Sequence, residues 1–221
     1  MNKSKAIIIT MLLALMSAII LVTASVALFS NSVTVENYLQ AGTLEVGLAR
    51  TSLRGQVPDA DGVLQQETTD SERVDLTAAQ TDDENDSVFT FGTSGVPGMW
   101  QEATLEIENR GNVAFDYTVA FFFVRTPEAG SAEERLAGKL LVTVTDAQGN
   151  VLTDAGTTLA GIIERGALPL GSVSGESEKQ TFCLKVELPL EENVLDDGSG
   201  ETIMNAQLSF NVTVAATQKV S

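Results

Sequence analysis

The chain has 221 residues, 30 acidic against 13 basic side chains, and a formal net charge of −17. A surface this acidic lacks the lysine and arginine clusters that bind phosphates, so nucleic acid and anionic membranes are disfavoured as partners. Because the chain has no histidine and one cysteine, imidazole zinc sites, histidine-dependent catalysis and an intrachain disulfide are excluded. We therefore expect a protein that is not an enzyme, with no catalytic or metal-binding residues and no cofactor.

The N-terminal segment has the three parts of a secretory signal. Lys3 and Lys5 form a positive region, a long apolar run follows, and small residues stand at Ser25 and Ala27. This order is typical of a signal peptide that is cleaved after the second small residue. Leu28 is therefore the predicted start of the mature chain, and residues 1–27 are the predicted signal peptide.

Cleavage predicts a protein that is secreted, located in the extracellular matrix or at the cell surface. The mature chain, 28–221, loses two lysines and no acid, which leaves 11 basic and 30 acidic residues and a net charge of −19. A chain of this length is expected to form a single domain. The alternative is a retained transmembrane anchor, because no charged residue lies between Lys5 and Glu36.

Period-two alternation of apolar residues recurs along the mature chain, whereas helical periodicity is scarce. It predicts strands at 43–48, 103–107, 115–124, 140–145, 151–153, 181–188 and 208–214. The run 115–124 is apolar on both faces, which predicts a central strand covered on each side. The pattern indicates an all-β fold, a two-sheet antiparallel β-sandwich of jelly-roll type with short helical insertions.

Several stretches depart from the strand pattern. Residues 54–86 are polar and acidic, which predicts a mobile surface excursion. The Ser-x-x-Glu spacing that begins at Ser131 predicts a short helix over 132–138, and a second is predicted at 158–164. The acidic turn 196–201 offers several oxygen ligands on a flexible loop, so weak Ca²⁺ binding is possible there.

Two single residues also carry expectations. Cys183 alternates with the apolar residues of its predicted strand, so we expect a half-buried, inert thiol. Trp100 follows a Pro-Gly turn, and a buried packing role is favoured over a surface anchor for a partner or carbohydrate.

Short motifs along the chain resemble one protein family. They are Ala-Leu-Phe-Ser-Asn at 27–31, Ala-Gly-Thr-Leu-Glu-Val at 41–46, Pro-Gly at 97–98, Asn-Arg-Gly-Asn at 109–112 and Met-Asn-Ala-Gln-Leu at 204–208. The set is similar to the TasA and camelysin family of exported proteins. That resemblance implies a signal cut by the dedicated peptidase SipW and a jelly-roll subunit that polymerises into extracellular fibres of a bacterial biofilm matrix.

The resemblance also implies how subunits join and what they meet. The N-terminal segment of one subunit would complete the sheet of a neighbour, and the expected self-assembly strand contains Leu28, Phe29, Val33 and Val35. Expected partners are copies of the same chain and, beyond these, minor matrix subunits or an anchor protein. Strand addition needs a donor whose apolar side chains alternate, and Phe29, Val33 and Val35 provide that alternation.

Three alternatives stay open at this point. The segment 28–39 is equally compatible with an ordinary first strand inside its own domain. The whole chain is also compatible with a monomeric adhesive module of the cell surface. A metalloprotease activity has been attached to camelysin, but the missing histidine argues against it here.

Overall fold

The computed structural model describes residues 43–59, 61, 63–77, 87–91, 96–190, 203 and 206–219. All of them belong to one compact unit. The predicted cleavage and assembly residues lie outside this part of the chain: Ser25, Ala27, Leu28, Phe29, Val33 and Val35. The acidic turn 196–201 also lies outside it. No helix among the described residues is long and apolar enough to cross a membrane.

Nine strands and two helices are found in the described residues. The strands are β1 (Val46–Gln56), β2 (Thr68–Asp70), β3 (Val74–Asp75), β4 (Trp100–Asn109), β5 (Phe115–Phe123), β6 (Leu141–Thr145), β7 (Leu168–Val173), β8 (Lys179–Glu187) and β9 (Phe210–Gln218). The helices are α1 (Ala132–Ala137) and α2 (Leu159–Arg165).

The strands form two antiparallel sheets that pack against each other. The large sheet has the order β2-β1-β4-β8-β6, with β3 also paired to β1, and the small sheet has the order β7-β5-β9. Every strand pair is antiparallel. The all-β sandwich expected from the alternation is thus confirmed, whereas the jelly-roll connectivity stays a prediction.

The hydrophobic core lies between the two sheets. On β4 the alternate residues Ala103, Leu105 and Ile107 are fully buried, and Leu105 and Ile107 form one cluster with apolar residues of the neighbouring β8 and of β5 in the other sheet. The alternation that predicted these strands exists because each strand has one face in the core and one in water. Burial of each large apolar side chain stabilises the fold by about 1.5–3 kcal/mol.

A polar link joins the two sheets inside this core. The Tyr117 hydroxyl donates to Oε1 of Gln180 at 3.1 Å, and Nε2 of Gln180 donates to the carbonyl oxygen of Ser172 at 2.7 Å. Burial, together with the nearby charge of Asp146, raises the pKa of Tyr117 to about 12. The phenol therefore stays protonated at neutral pH and keeps its donor role. The link places β5 directly across the core from β8.

Both predicted helices are present, and each begins at a side-chain cap. The Ser131 hydroxyl accepts a hydrogen bond from the backbone N of Glu134 at 3.1 Å, and the Glu134 carboxylate accepts one from the backbone N of Gly130 at 2.6 Å. Helix α2 begins after Thr158, whose hydroxyl accepts from the backbone N of Gly161. These bonds satisfy amide groups that a helix N-terminus otherwise leaves unpaired.

The prediction that β5 is covered on both faces was wrong for its outer face near the C-terminal end of the strand. Phe122 is 51% exposed and Val124, just after the strand, is 61% exposed. Apolar residues on both faces of a strand do not show that both faces are covered. A second layer must pack on the outer face, and the strand's own sequence does not specify that layer.

The prediction of a mobile surface excursion over 54–86 missed strands that the structure places within it. Strand β1 continues to Gln56, β2 and β3 pair with it, and Leu76 enters the core with 8% exposure. Short edge strands tolerate polar side chains because much of their surface stays in water. A polar composition therefore concealed real strand pairing.

Candidate functional site

The Asn-Arg-Gly-Asn motif forms a tight turn, residues 109–112, which we name the anchor turn. Asn109 is fully buried; its Nδ2 donates to the carbonyl oxygen of Val113, and its Oδ1 accepts from the backbone N of Gly111, both at 3.0 Å. A Cβ at position 111 would overlap the carbonyl oxygen of Thr43 and stand 2.7 Å from the backbone N of Glu45. Glycine is therefore required for this close approach.

The anchor turn holds the first described residues of the chain. The backbone N of Thr43 donates to Oδ1 of Asn112 at 2.7 Å, and the backbone N of Asn112 donates to the carbonyl oxygen of Thr43 at 3.0 Å. The Glu45 carbonyl accepts from the backbone N of Arg110 at 2.8 Å and from that of Gly111 at 3.1 Å. Thr43 is thus held at a fixed point, at the end of the sandwich where β4 ends.

Strand β9 lies at an edge of the small sheet. It pairs with β5 along its whole length, from Phe210 opposite Phe123 to Gln218 opposite Phe115. No strand within the described part of the chain pairs with its other side. We name this side of β9 the open edge.

The core face of β9 is incompletely covered. Its four apolar residues that pack on the core are only half-buried: Phe210, Val212, Val214 and Ala216. On β7, at the opposite edge of the same sheet, Leu168 is 4%, Leu170 3% and Val173 0% exposed. The difference indicates that no strand in the described part of the chain covers the other side of β9.

The remaining sheet edges carry features that hinder the addition of a further strand. Strand β7 contains Pro169 and an irregular register near Gly171. Bridges from Val151 and Thr158 cover part of β6. Strands β2 and β3 have only three and two residues. By contrast, β9 has nine residues without a charge or a proline.

The outer face of the large sheet is occupied by ion pairs. Glu106 accepts from Nη1 of Arg73 at 2.7 Å and from Nζ of Lys179 at 3.0 Å. Partial burial raises the pKa of Glu106, but the hydrogen bonds from Lys179 and Arg73 outweigh that effect and lower it. The uncharged open edge is therefore a better place than this face for two acidic chains to meet.

Two single-residue predictions met different outcomes. Cys183 is half-buried, as predicted, and its Sγ lies 3.7 Å from the hydroxyl of Thr104. Trp100 was predicted to be buried, but it is half-buried on the outer face of β4. Its ring lies between Arg54, at 5.8 Å, and Lys185, at 5.2 Å.

Comparison with protein-family models finds no match, and comparison with curated proteins finds no similar sequence. The resemblance to the TasA and camelysin family therefore rests on the short motifs themselves. Within the residues that the structure describes, no cluster of three or more potential ligand side chains suitable for a metal ion occurs.

The sequence analysis predicted a donor strand at 28–35 but named no acceptor for it. The alternation at 208–214 predicted the last strand of a sheet, and β9 is indeed an edge strand. The available signal was the run 210–218, which has neither charge nor proline in a chain of net charge −17. Those properties are unusual for an exposed edge.

Proposed function

We propose that the mature chain is a secreted structural subunit that polymerises into extracellular fibres of a bacterial matrix. In this proposal the N-terminal strand 28–35 of one subunit adds to the open edge of β9 in the next. The observation that carries the proposal is the long, uncharged edge whose core-facing residues remain half-buried. Such an edge is a template for β-strand addition.

The position of the anchor turn favours addition between subunits over addition within one. Thr43 is fixed at the end of the sandwich where β9 also ends, since the backbone N of Lys219 donates to the carbonyl oxygen of Ala114 at 2.9 Å. A segment preceding Thr43 that folded back on its own β9 would run parallel to it. Every other pair of these sheets is antiparallel, and parallel pairing is slightly less stable per residue.

In copies stacked end to end, the direction of pairing reverses. The segment of the upper subunit passes beyond its own end of the sandwich and descends along β9 of the lower subunit, antiparallel to it. Residues 28–42 span roughly 50 Å when extended, and the nine residues of β9 need about 30 Å. The segment is therefore long enough to cover the open edge and still reach its own domain.

The chemistry of the donor complements that of the acceptor. Phe29, Val33 and Val35 share one face of the extended segment, and that face would cover the half-buried residues of β9. Full burial of three such side chains contributes roughly 5–9 kcal/mol. Backbone hydrogen bonds along the strand add about 0.5–1.5 kcal/mol each. These contributions are offset in part by the entropy lost when the segment becomes ordered.

A truncated chain that begins at Glu36 tests the proposal. It should stay folded by circular dichroism but remain monomeric, while the mature chain forms fibres in light scattering and electron microscopy. Val33→Ser, on the apolar face of the donor, should impair assembly far more than Thr34→Ser on the other face. A truncated chain that assembled at the rate of the mature chain would contradict the proposal. A mature chain that stays monomeric from acidic to neutral pH would favour the monomeric surface module.

A further inference from the structure

The surface that faces the open edge across the core controls the addition of a further strand to β9. This inference rests on the proposed function. Rings of Tyr117 on β5 and Phe182 on β8 lie 5.9 Å apart across the core. Phe89 contacts Phe210 of β9, and its neighbour Thr90 is hydrogen-bonded to Gln101 of β4, so β9 lies on the β4 side of β5. A strand added beyond β9, at a spacing of about 4.8 Å, would face β1.

The core face of β1 is already covered in the free subunit. The covering residues are 87–91, which we name the strap. Arg50 on β1 is 3% exposed and donates from Nη1 to the carbonyl oxygen of Ser87 at 2.5 Å. Gln101 on β4 is 4% exposed; its Oε1 accepts from the backbone N of Thr90 at 2.9 Å and its Nε2 donates to the Thr90 carbonyl at 3.3 Å.

The strap also covers the beginning of β9. The ring of Phe89 lies 6.3 Å from that of Phe210, the first residue of β9, and 5.4 Å from that of Phe91. Both strap rings pack on the edge of the core and are half-buried. The strap therefore occupies the region that apolar side chains of an incoming strand would enter.

In the part of the chain that the structure describes, the strap is bound to the sandwich through side chains of β1 and β4. Thr90 at its centre is exposed, and the other strap residues are half-buried. Its tether from β1 is also imperfect, because Nε of Arg50 is buried without a hydrogen-bond partner. A buried donor that lacks a partner is costly. Partly buried segments at the surface open at a lower free energy than the core strands.

We propose that the strap is an autoinhibitory placeholder. In the free subunit it covers the core face of β1 that the incoming strand takes over, and its release limits the rate of fibre elongation. Arg50 and Gln101 are the two latches, because their side chains, both buried in the sandwich, bind the strap backbone.

Two arginines on the same strand provide a matched test. Arg50→Met removes the buried latch, whereas Arg54→Met removes an exposed arginine on the outer face, paired with Glu102. Mature monomers of each variant are added to wild-type fibre seeds, and elongation is followed by light scattering. Arg50→Met should elongate roughly tenfold faster, the factor expected for the loss of one hydrogen bond from a charged group. Arg54→Met should elongate at the wild-type rate.

Thermal melts separate release of the strap from general damage. Loss of the Arg50 hydrogen bond leaves the rest of the sandwich intact, so Arg50→Met should stay folded and melt no more than about 6 °C below the wild type while it elongates faster. Gln101→Leu, which releases Thr90, is the second variant and should also accelerate elongation. If both folded variants elongate at the wild-type rate or more slowly, the strap proposal is overturned and strand addition stands. If wild-type monomer never extends the seeds, both proposals fail.

Discussion

A lysine on the core face of β9 should block assembly, whereas a lysine on its outer face should not. Val214 lies in the middle of the strand opposite Val119, and it is half-buried at the open edge. Ala215 is its neighbour, opposite Thr118; it is exposed and points to the other face. Val214→Lys and Ala215→Lys change the net charge equally, so a difference between them reports the position and not the charge.

The expected loss of assembly depends on how far the side chain at position 214 is covered in the free subunit and in the fibre. In the free subunit a lysine there can extend its ammonium group past the open edge into water, and the half-buried valine is lost at a cost of about 1–1.5 kcal/mol. An added strand would close that exit and enclose the ammonium group without a carboxylate. The penalty for such a buried charge is several kcal/mol. A net loss of at least about 3 kcal/mol per junction raises the critical concentration roughly a hundredfold or more.

Sedimentation of fibres from a dilution series measures the critical concentration, and circular dichroism confirms that each monomer is folded. Ala215→Lys should assemble within about threefold of wild type, because a substitution at an exposed position changes stability by roughly 0.5 kcal/mol or less. A folded Val214→Lys variant with the critical concentration of wild type would refute the reasoning. In that case the core face of β9 would not be covered in the fibre.

Further predictions concern the anchor turn, acid and salt. Gly111→Ala should lower the free energy of unfolding by about 2 kcal/mol, because its Cβ would overlap the Thr43 carbonyl. Gly138→Ala is the control: its Cβ would lie 3.4 Å from the nearest atom, so it should not lower the free energy of unfolding. Thermal melts measure both variants. Hydrogen bonds from two backbone amides lower the pKa of Glu178 below its ordinary 4.5. The ionised Glu178 therefore stabilises the fold above about pH 4.5, and this stabilisation is lost as the pH falls through the lower pKa of the folded state. Glu178→Gln should lose less of its melting temperature on acidification, because it lacks the titrating carboxylate. Elongation should accelerate as salt approaches roughly 0.1 M, where the Debye length is about 10 Å; elongation that slows on adding salt would contradict electrostatic repulsion between acidic subunits.

Local patterns predicted the elements well where a local rule decides them. The alternation at 103–107 and 181–188 matches β4 and β8, because a half-buried strand must alternate whatever its partner is. The Ser131 capping box predicted α1, because the cap and the amide that it binds are three residues apart in sequence. The same reasoning failed for 54–86, where short polar strands pair with β1 over a distance that no local pattern encodes.

The sequence by itself determined which face of the strongly alternating strands, such as β4 and β8, enters the core, and it proposed the donor strand through the alternation of Phe29, Val33 and Val35. Only the tertiary structure decided which strands became neighbours and which was left at an edge. Strand pairing depends on the sum of non-local contacts, and alternation along one strand carries no information about its partner. For the same reason the open edge of β9 and the burial of Arg50 under the strap emerged only when the sheets were packed together.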